Sequence, residues 1–268
     1  MRVWFLKETK SLCTRCGTRC NILIGAREDQ TQRYVPREND VVNRGWMCDI
    51  GRLNYPWIGR ADRLKQVTRS RSGGARETTS WSSALGEIAE LLQKAPAGSV
   101  AMVASARQTN EELFLLKRLA TRLGAITDSL PRPQPEDHLL VCDDGNPNST
   151  GARLIGICFT EMGINLPRIA DGIRRGVIKT LIVFGEDVTR QNAGAPFAED
   201  IPRQDLDPGL LVRLETLIVS DLLPSPTSRR AHYLLPGCAP AEKRGTMTNV
   251  HGRVQKFTAS GALITTWG

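Results

Sequence analysis

Cys13-Thr14-Arg15-Cys16-Gly17-Thr18-Arg19-Cys20, followed by Cys48 after a further 27 residues, is the stretch from which the rest of this chain is read. Three thiols on one short loop can converge on one small object, and the chain must return to supply the fourth. A cubane iron–sulfur cluster has four irons, each needing one outside ligand, usually a thiolate. A three-plus-one set meets that demand. Structural zinc also takes four thiolates, but its ligands usually come as two C-x2-C pairs. A redox-active C-x2-C would leave Cys20 and Cys48 without a role. Arg15, Arg19, Arg44 and Arg52 lie near these cysteines in sequence. As donors beside cluster sulfur they would raise its reduction potential; as solvated side chains they would not.

The 268 residues suffice for one large domain or two modest ones, and 40% hydrophobic with 24% charged residues is a globular balance. Seven cysteines, an odd number clustered at one end, do not read as a disulfide framework. Cys142, Cys158 and Cys238 each lack a neighbouring Cys or His at ligand spacing, so no second metal site is expected. His138, His232 and His251 are equally dispersed. No P-loop, GxGxxG or nucleophile–base pair stands out.

The net charge of +8 fits a basic face, whereas the 5% aromatic content and scattered Lys and Arg give no nucleic-acid signature. A protein partner is the expected use of the charge. No apolar run approaches the ~20 residues of a membrane span. Residues 1–10 carry charges on both sides of a short apolar stretch and show no signal-peptide cleavage site. The expected location is cytoplasmic, with any membrane contact made through partners.

Residues 1–60 read as a small β-rich module, with strands at Val3–Leu6 and Asn21–Ile24 and a short helix at Asp49–Asn54. Residues 61–80 are polar, with a loop or linker at 70–74. The body, 61–268, alternates helix and strand. Trp81–Lys94 is helical by its leucine spacing, with Ser82 or Ser83 as cap. Thr109–Leu123 is helical, with Thr109 or Asn110 as cap and Gly124 as stop. Arg168–Arg175 is a further helix. Val100–Ser105, Leu139–Cys142, Thr180–Phe184 and Thr216–Ser220 read as strands. Such alternation predicts an α/β fold with a mainly parallel sheet, in which any ligand would bind in the loops after Ser105, Phe184 and Ser220.

The cysteine motif, with Val35-Pro-Arg-Glu-Asn39 and Trp46-Met-Cys48-Asp-Ile-Gly51-Arg52, resembles the iron–sulfur module of the molybdopterin oxidoreductase superfamily. Within it the likeness is to the large iron–sulfur subunit of bacterial NADH–quinone oxidoreductase, complex I. Asn146–Arg153, Ile178–Asp187 and Ala241–Gln255 resemble the same subunit. The resemblance implies a 4Fe–4S cluster on Cys13, Cys16, Cys20 and Cys48, with no catalytic residue in this chain. It also implies a truncated superfamily-type body, an electron-transfer or structural role, and docking to other subunits. The further clusters of the family subunit would sit on one of those, a separate ferredoxin-like iron–sulfur chain, or be absent, because this chain starts directly at the cubane module.

Catalytic members carry a Cys, selenocysteine or Ser metal ligand after the first α/β helix. Here the comparable stretch, 124–139, has no Cys, and Ser129 is the single candidate in a proline-rich loop. Molybdopterin is therefore not expected. A catalytic molybdenum or tungsten enzyme of the formate-dehydrogenase kind, or a non-enzymatic accessory or assembly protein, are the alternatives. Glu242, Lys243, Gly245, Thr246, Asn249, Gly252 and Arg253 match a segment near the cofactor in molybdenum relatives. Their structural reading gives turns at Gly245 and Gly252 and a Glu242–Arg253 ion pair.

Overall fold

The computed structural model describes residues 3–70, 76–189, 206 and 208–260. A 3-10 turn at Val3–Phe5 leads into three antiparallel strands, β1 (Lys7–Leu12), β2 (Asn21–Arg27) and β3 (Gln30–Pro36). The expected strand at Val3–Leu6 is thus displaced: Trp4 and Phe5 lie exposed against each other, and pairing starts at Lys7. The central strand β2 carries the apolar load, with Ile22 and Ile24 buried. β1 and β3 are the edge strands of this sheet and most of their residues are exposed or half-buried, so they are polar in sequence and hidden from an apolar-run reading. Helix α1 (Asp49–Arg52) forms inside the predicted span.

The polar stretch 61–80 is not only a linker. β4 (Thr68–Ser70) and β5 (Arg76–Thr78) are edge strands of the main sheet. Of the loop expected at 70–74, Ser70 ends β4 and the rest lies outside the described residues. Helix α2 (Trp81–Lys94) is capped by Ser80, whose hydroxyl accepts the Ser83 N–H, so the cap lies earlier than expected. β6 (Val100–Ala104) precedes α3 (Asn110–Leu123). Thr109 and Glu112 close a capping box on α3, and Gly124 ends it in the left-handed conformation at φ 59°. β7 (Ile126–Asp128) then enters the sheet.

Leu139–Cys142 is a loop rather than a strand. Asp137 Oδ1 accepts the N–H groups of Leu139, Leu140 and Val141 at 2.9, 2.7 and 2.7 Å, removing the donors a ladder needs. There follow α4 (Ser149–Ile155), α5 (Leu166–Arg174), β8 (Thr180–Phe184), α6 (Pro208–Leu211), β9 (Thr216–Asp221), α7 (Pro226–Arg229) and β10 (Tyr233–Pro236). The hairpin β11 (Gly245–Thr248) and β12 (Val254–Phe257) packs on α3, α4 and β1.

The large sheet runs β5-β4-β10-β9-β8-β6-β7; its last five strands are parallel. Alternate residues face opposite layers. Ala101, Val103, Leu181, Val183, Leu217 and Val219 pack against α5 and α6. Met102, Ala104, Ile182 and Ile218 pack against α2, α3 and α4. The chain leaves β6 toward β7 and returns to place β8 on the other side of β6. That reversal creates a crevice at the carboxyl ends of β6 and β8.

The first three strands share a core with the far end of the chain. Cys13, Cys20, Ile22, Ile24, Tyr34 and Ile58 bury Ala239 and Ala241. Beside them Arg63 makes a bidentate pair with Glu242 at 2.6 and 2.8 Å, both side chains almost fully buried. Arg63 Nη1 also donates to the Ile58 carbonyl, and Glu242 Oε2 accepts the Ala239 N–H. Glu242 therefore pairs with Arg63, not with the expected Arg253, which is exposed. Gly252 does take a left-handed turn at φ 76°, whereas Gly245 serves close approach: a Cβ there would lie 2.8 Å from Thr109 Cγ2. Arg63→Ala should strand the Glu242 carboxylate in the interior and cost about 3–5 kcal/mol. Urea unfolding checks this; a stability within about 0.5 kcal/mol of wild type, the range of ordinary surface substitutions, would contradict the pair's role.

Candidate metal centre and adjoining cleft

The cysteine loop is the connection of a β-hairpin. Leu12 pairs with Asn21, and the Cys13 N–H donates to the Cys20 carbonyl at 2.9 Å, so the loop's two ends are clamped together. Cys13, Cys16 and Cys20 are buried and Cys48 is half-buried. Cys48 is the N-cap of α1, its sulfur accepting the Gly51 N–H at 3.3 Å. A Cβ on Gly51 would stand 3.0 Å from Cys13 Sγ and 3.4 Å from Cys48 Sγ, so the two sulfurs converge there and a side chain would crowd both. The remote ligand candidate is thereby brought to the loop.

The loop is covered by two distant segments. Gly17 N–H donates to the Asp144 carbonyl at 2.8 Å, and Thr18 Oγ1 to the Leu140 carbonyl at 2.7 Å. Val250 N–H donates to the Gly17 carbonyl, and Gln255 Nε2 to that of Arg19. Gly17 must lack a side chain, because a Cβ would meet Val250 Cγ1 at 2.3 Å and Cys142 Sγ at 3.2 Å. Sequence spacing set Cys142 aside, yet the fold brings its thiol against Cys16. Nothing local in Val141-Cys142-Asp143 signals this. Cys158 is a core residue of the sheet layer containing α3, and Cys238 lines the cleft described below.

Burial pushes the Cys13 thiol up to about 11 and that of Cys20 to about 12, with the neighbouring thiols adding to both shifts. Cys16 is drawn down to about 7, chiefly by hydrogen bonding from Cys142. Among the described residues, no three His, Cys, Asp or Glu side chains are drawn together tightly enough to hold a single metal ion. A cluster needs a wider cradle than one ion, because its ligands attach to different irons. The four arginines separate clearly. Arg44 and Arg52 are exposed and Arg15 is half-buried, but Arg19 is fully buried. Its Nη1 donates to the Pro147 carbonyl at 3.1 Å; Nε and Nη2 have no hydrogen-bond partner among the described residues. Burial pulls its guanidinium down to about 9, and Cys13 and Cys16 act against that shift. A buried, incompletely satisfied cation beside buried thiols fits a site built for an anionic group.

A cleft of about 670 Å³ opens beside the loop, at the crevice between β6 and β8. Thr14, Arg15, Ile50 and Trp57 form one wall; Arg107, Gln108, Gly185, Asp221 and Lys243 form the other. Arg107 and Gln108, Gly185 and Asp221 belong to the segments after Ser105, Phe184 and Ser220. Two of the cleft's cations are already neutralised: Lys243 Nζ binds Glu112 and Gln108, and Arg132 pairs with buried Glu186. Ser129 does not line the cleft; its hydroxyl is buried without a hydrogen-bond partner among the described residues.

Burial raises the Asp221 carboxyl to about 6, with Glu186 and Asp187 adding repulsion. A carboxyl raised on folding binds more protons in the native state than in the unfolded one. Asp221 therefore lowers stability as pH rises from the ordinary carboxylate range through about 6. Asp221→Asn should stabilise the protein by up to about 3 kcal/mol at pH 7.5, with most of the gain lost near pH 4. Thermal unfolding at both pH values checks this, and an equal effect at both would contradict it.

Residues 6–56 match the Molybdopterin oxidoreductase Fe4S4 domain, and residues 161–267 match the Molybdopterin oxidoreductase domain. The chain is 32% identical over 124 residues to an NADH-quinone oxidoreductase subunit of Rickettsia felis, covering 46% of this chain and 18% of that protein. It is 32% identical over 122 residues to an NADH-quinone oxidoreductase subunit of Thermus thermophilus, covering 46% and 15%. The matched stretch is thus less than one fifth of either relative. Acetylene hydratase from Pelobacter acetylenicus shares the fold with a TM-score of 0.65 at 11% identity, over 95% of this chain and 66% of that one. Together the two domain matches span more than half of the sequence, and a small β module followed by a mostly parallel α/β body accompanies them: the chain carries a molybdopterin oxidoreductase Fe4S4 domain followed by a molybdopterin oxidoreductase domain.

Proposed function

We propose that this chain is a cluster-carrying subunit of an NADH–quinone oxidoreductase-like complex, with Cys13, Cys16, Cys20 and Cys48 as the ligands of one 4Fe–4S cluster. The observation that carries the reading is the convergence of cysteine sulfurs around Gly51 beside the fully buried Arg19, within a match to an Fe4S4 domain. When bound, the cluster accepts and releases one electron at a time. The chain's own residues hold its four corners, keep water off three of the sulfurs and surround them with N–H donors. The role is electron transfer where a second cluster comes within reach on a neighbouring chain, and structural support otherwise. In this reading residues 1–60 are the iron–sulfur module and 61–268 the body that docks partner subunits. NADH and quinone are handled by those partners.

The proposed setting is the cytoplasmic face of the membrane, with attachment through partners. Among the described residues no helix is long and apolar enough to cross a bilayer. The cleft favours a second reading, a catalytic molybdopterin oxidoreductase, because its volume accommodates a large ligand beside the module. Against it stand the internal pairing of Lys243 and Arg132 and the buried position of Ser129.

Iron, sulfide, zinc, molybdenum and pterin content of anaerobically purified protein separates these readings. About four irons per chain without molybdenum is the expected result. Zinc alone would overturn the cluster assignment, and stoichiometric molybdenum with pterin would favour the catalytic reading. Cys48→Ala should lose the four-iron stoichiometry and loosen residues 1–60 to proteolysis, whereas Cys142→Ala should keep its iron. Equal iron loss in both variants would refute the ligand assignment.

A further inference from the structure

Arg19 occupies an unusual position for an arginine. Its backbone is left-handed, at φ 60°, a conformation that side-chain-bearing residues rarely adopt. Its side chain is wholly excluded from solvent. A guanidinium carries five donors in a fixed fork, and here one is taken by the Pro147 carbonyl, while Nε and Nη2 face no acceptor. Among the described residues no carboxylate forms an ion pair with it. Strained backbone and an unmatched buried cation both work against folding, so the position requires a compensating anion. The ionisable groups that act on Arg19 are Cys13 and Cys16.

We propose that Arg19 is the built-in counter-charge of the cluster, its free Nε–H and Nη2–H groups donating to sulfur on the side of Cys13 and Cys16. This inference rests on the ligand reading above and goes beyond it, because it assigns the cluster's potential to a specific residue outside the ligand set. Four thiolates make the ligated cluster anionic, and reduction adds a further negative charge. A fixed cation with N–H donors stabilises the reduced form more than the oxidised one and so raises the reduction potential. Low dielectric around the buried site strengthens the effect, and solvated Arg44 and Arg52 cannot match it. The left-handed backbone at Arg19 is accounted for as well: it turns the guanidinium inward, and Gln255 Nε2 holds the Arg19 carbonyl from behind.

The test compares wild type, Arg19→Gln and Arg19→Lys as anaerobically purified full chains. Iron and sulfide are counted, and the potential is read from EPR signals during a redox titration. Arg19→Gln should keep its iron but show a reduced-to-oxidised ratio about tenfold lower at the wild-type midpoint, a shift of ~59 mV for a one-electron couple. Arg19→Lys should recover at least half of that shift, because it restores the charge. A role limited to pinning Pro147 would lower iron occupancy and leave the potential of the loaded fraction at the wild-type value; that result overturns the proposal. If Arg19→Gln loses its iron, retention with a near-wild-type potential in Arg19→Lys supports the counter-charge, and loss from both overturns it. Wild-type protein that carries zinc or no iron refutes the ligand reading itself, and metal content shows this independently of any potential.

Discussion

The buried bidentate contact between Arg63 and Glu242 joins residues 179 positions apart, and the geometry of the cysteine loop depends on it. Glu242 belongs to the segment that places Ala239 and Ala241 into the core beneath Cys13 and Cys20. A bidentate Arg–carboxylate pair fixes orientation as well as distance, because both partners are planar. In a dry interior it also penalises every arrangement in which either ion is left alone. The small β-sheet, the edge of the large sheet and the return of the chain are therefore held in one relation.

The cysteine loop is not completed by the module that contains it. The Gly17 N–H, the Thr18 hydroxyl and the Arg19 guanidinium donate to the carbonyls of Asp144, Leu140 and Pro147 from one loop, and the Gly17 and Arg19 carbonyls accept from Val250 and Gln255 of the β11–β12 hairpin. Those contacts exclude water and bring one guanidinium and one extra thiol against the site. Burial then raises two of the four cysteine thiols, so deprotonation there must be driven by a bound cation. The body gives the loop its shape, and in the proposed reading an anionic cluster would give buried Arg19 its partner.

The cleft beside the site follows from sheet topology. Parallel strands whose order reverses next to β6 leave a crevice at their carboxyl ends, and the cysteine module forms the facing wall. Gly185, at φ 62°, lets Gln108 approach closely across that crevice. Lys243 and Arg132 are turned toward acidic residues of the chain itself, which lowers the attraction of the cleft for an anionic ligand.

The sequence by itself determined what depends on local spacing. The short apolar runs specified β6, β8 and β9, because strands buried on both faces read as continuous apolar stretches. Thr109, Glu112 and Gly124 specified the ends of α3, because caps act within one helical turn. The three-plus-one cysteine spacing marked the candidate centre, since one short loop must deliver three thiols together. Only the tertiary structure decided the rest. The partner of Glu242, the polar strands β1 and β3, the loop at Leu139–Cys142, the approach of Cys142 to Cys16 and the burial of Arg19 all depend on distant segments. Arg19 could not be told from Arg44 or Arg52 along the chain. The same side chain is a solvated surface group or an uncompensated buried charge according to what is folded over it, and that covering comes from 122 to 236 residues away in sequence.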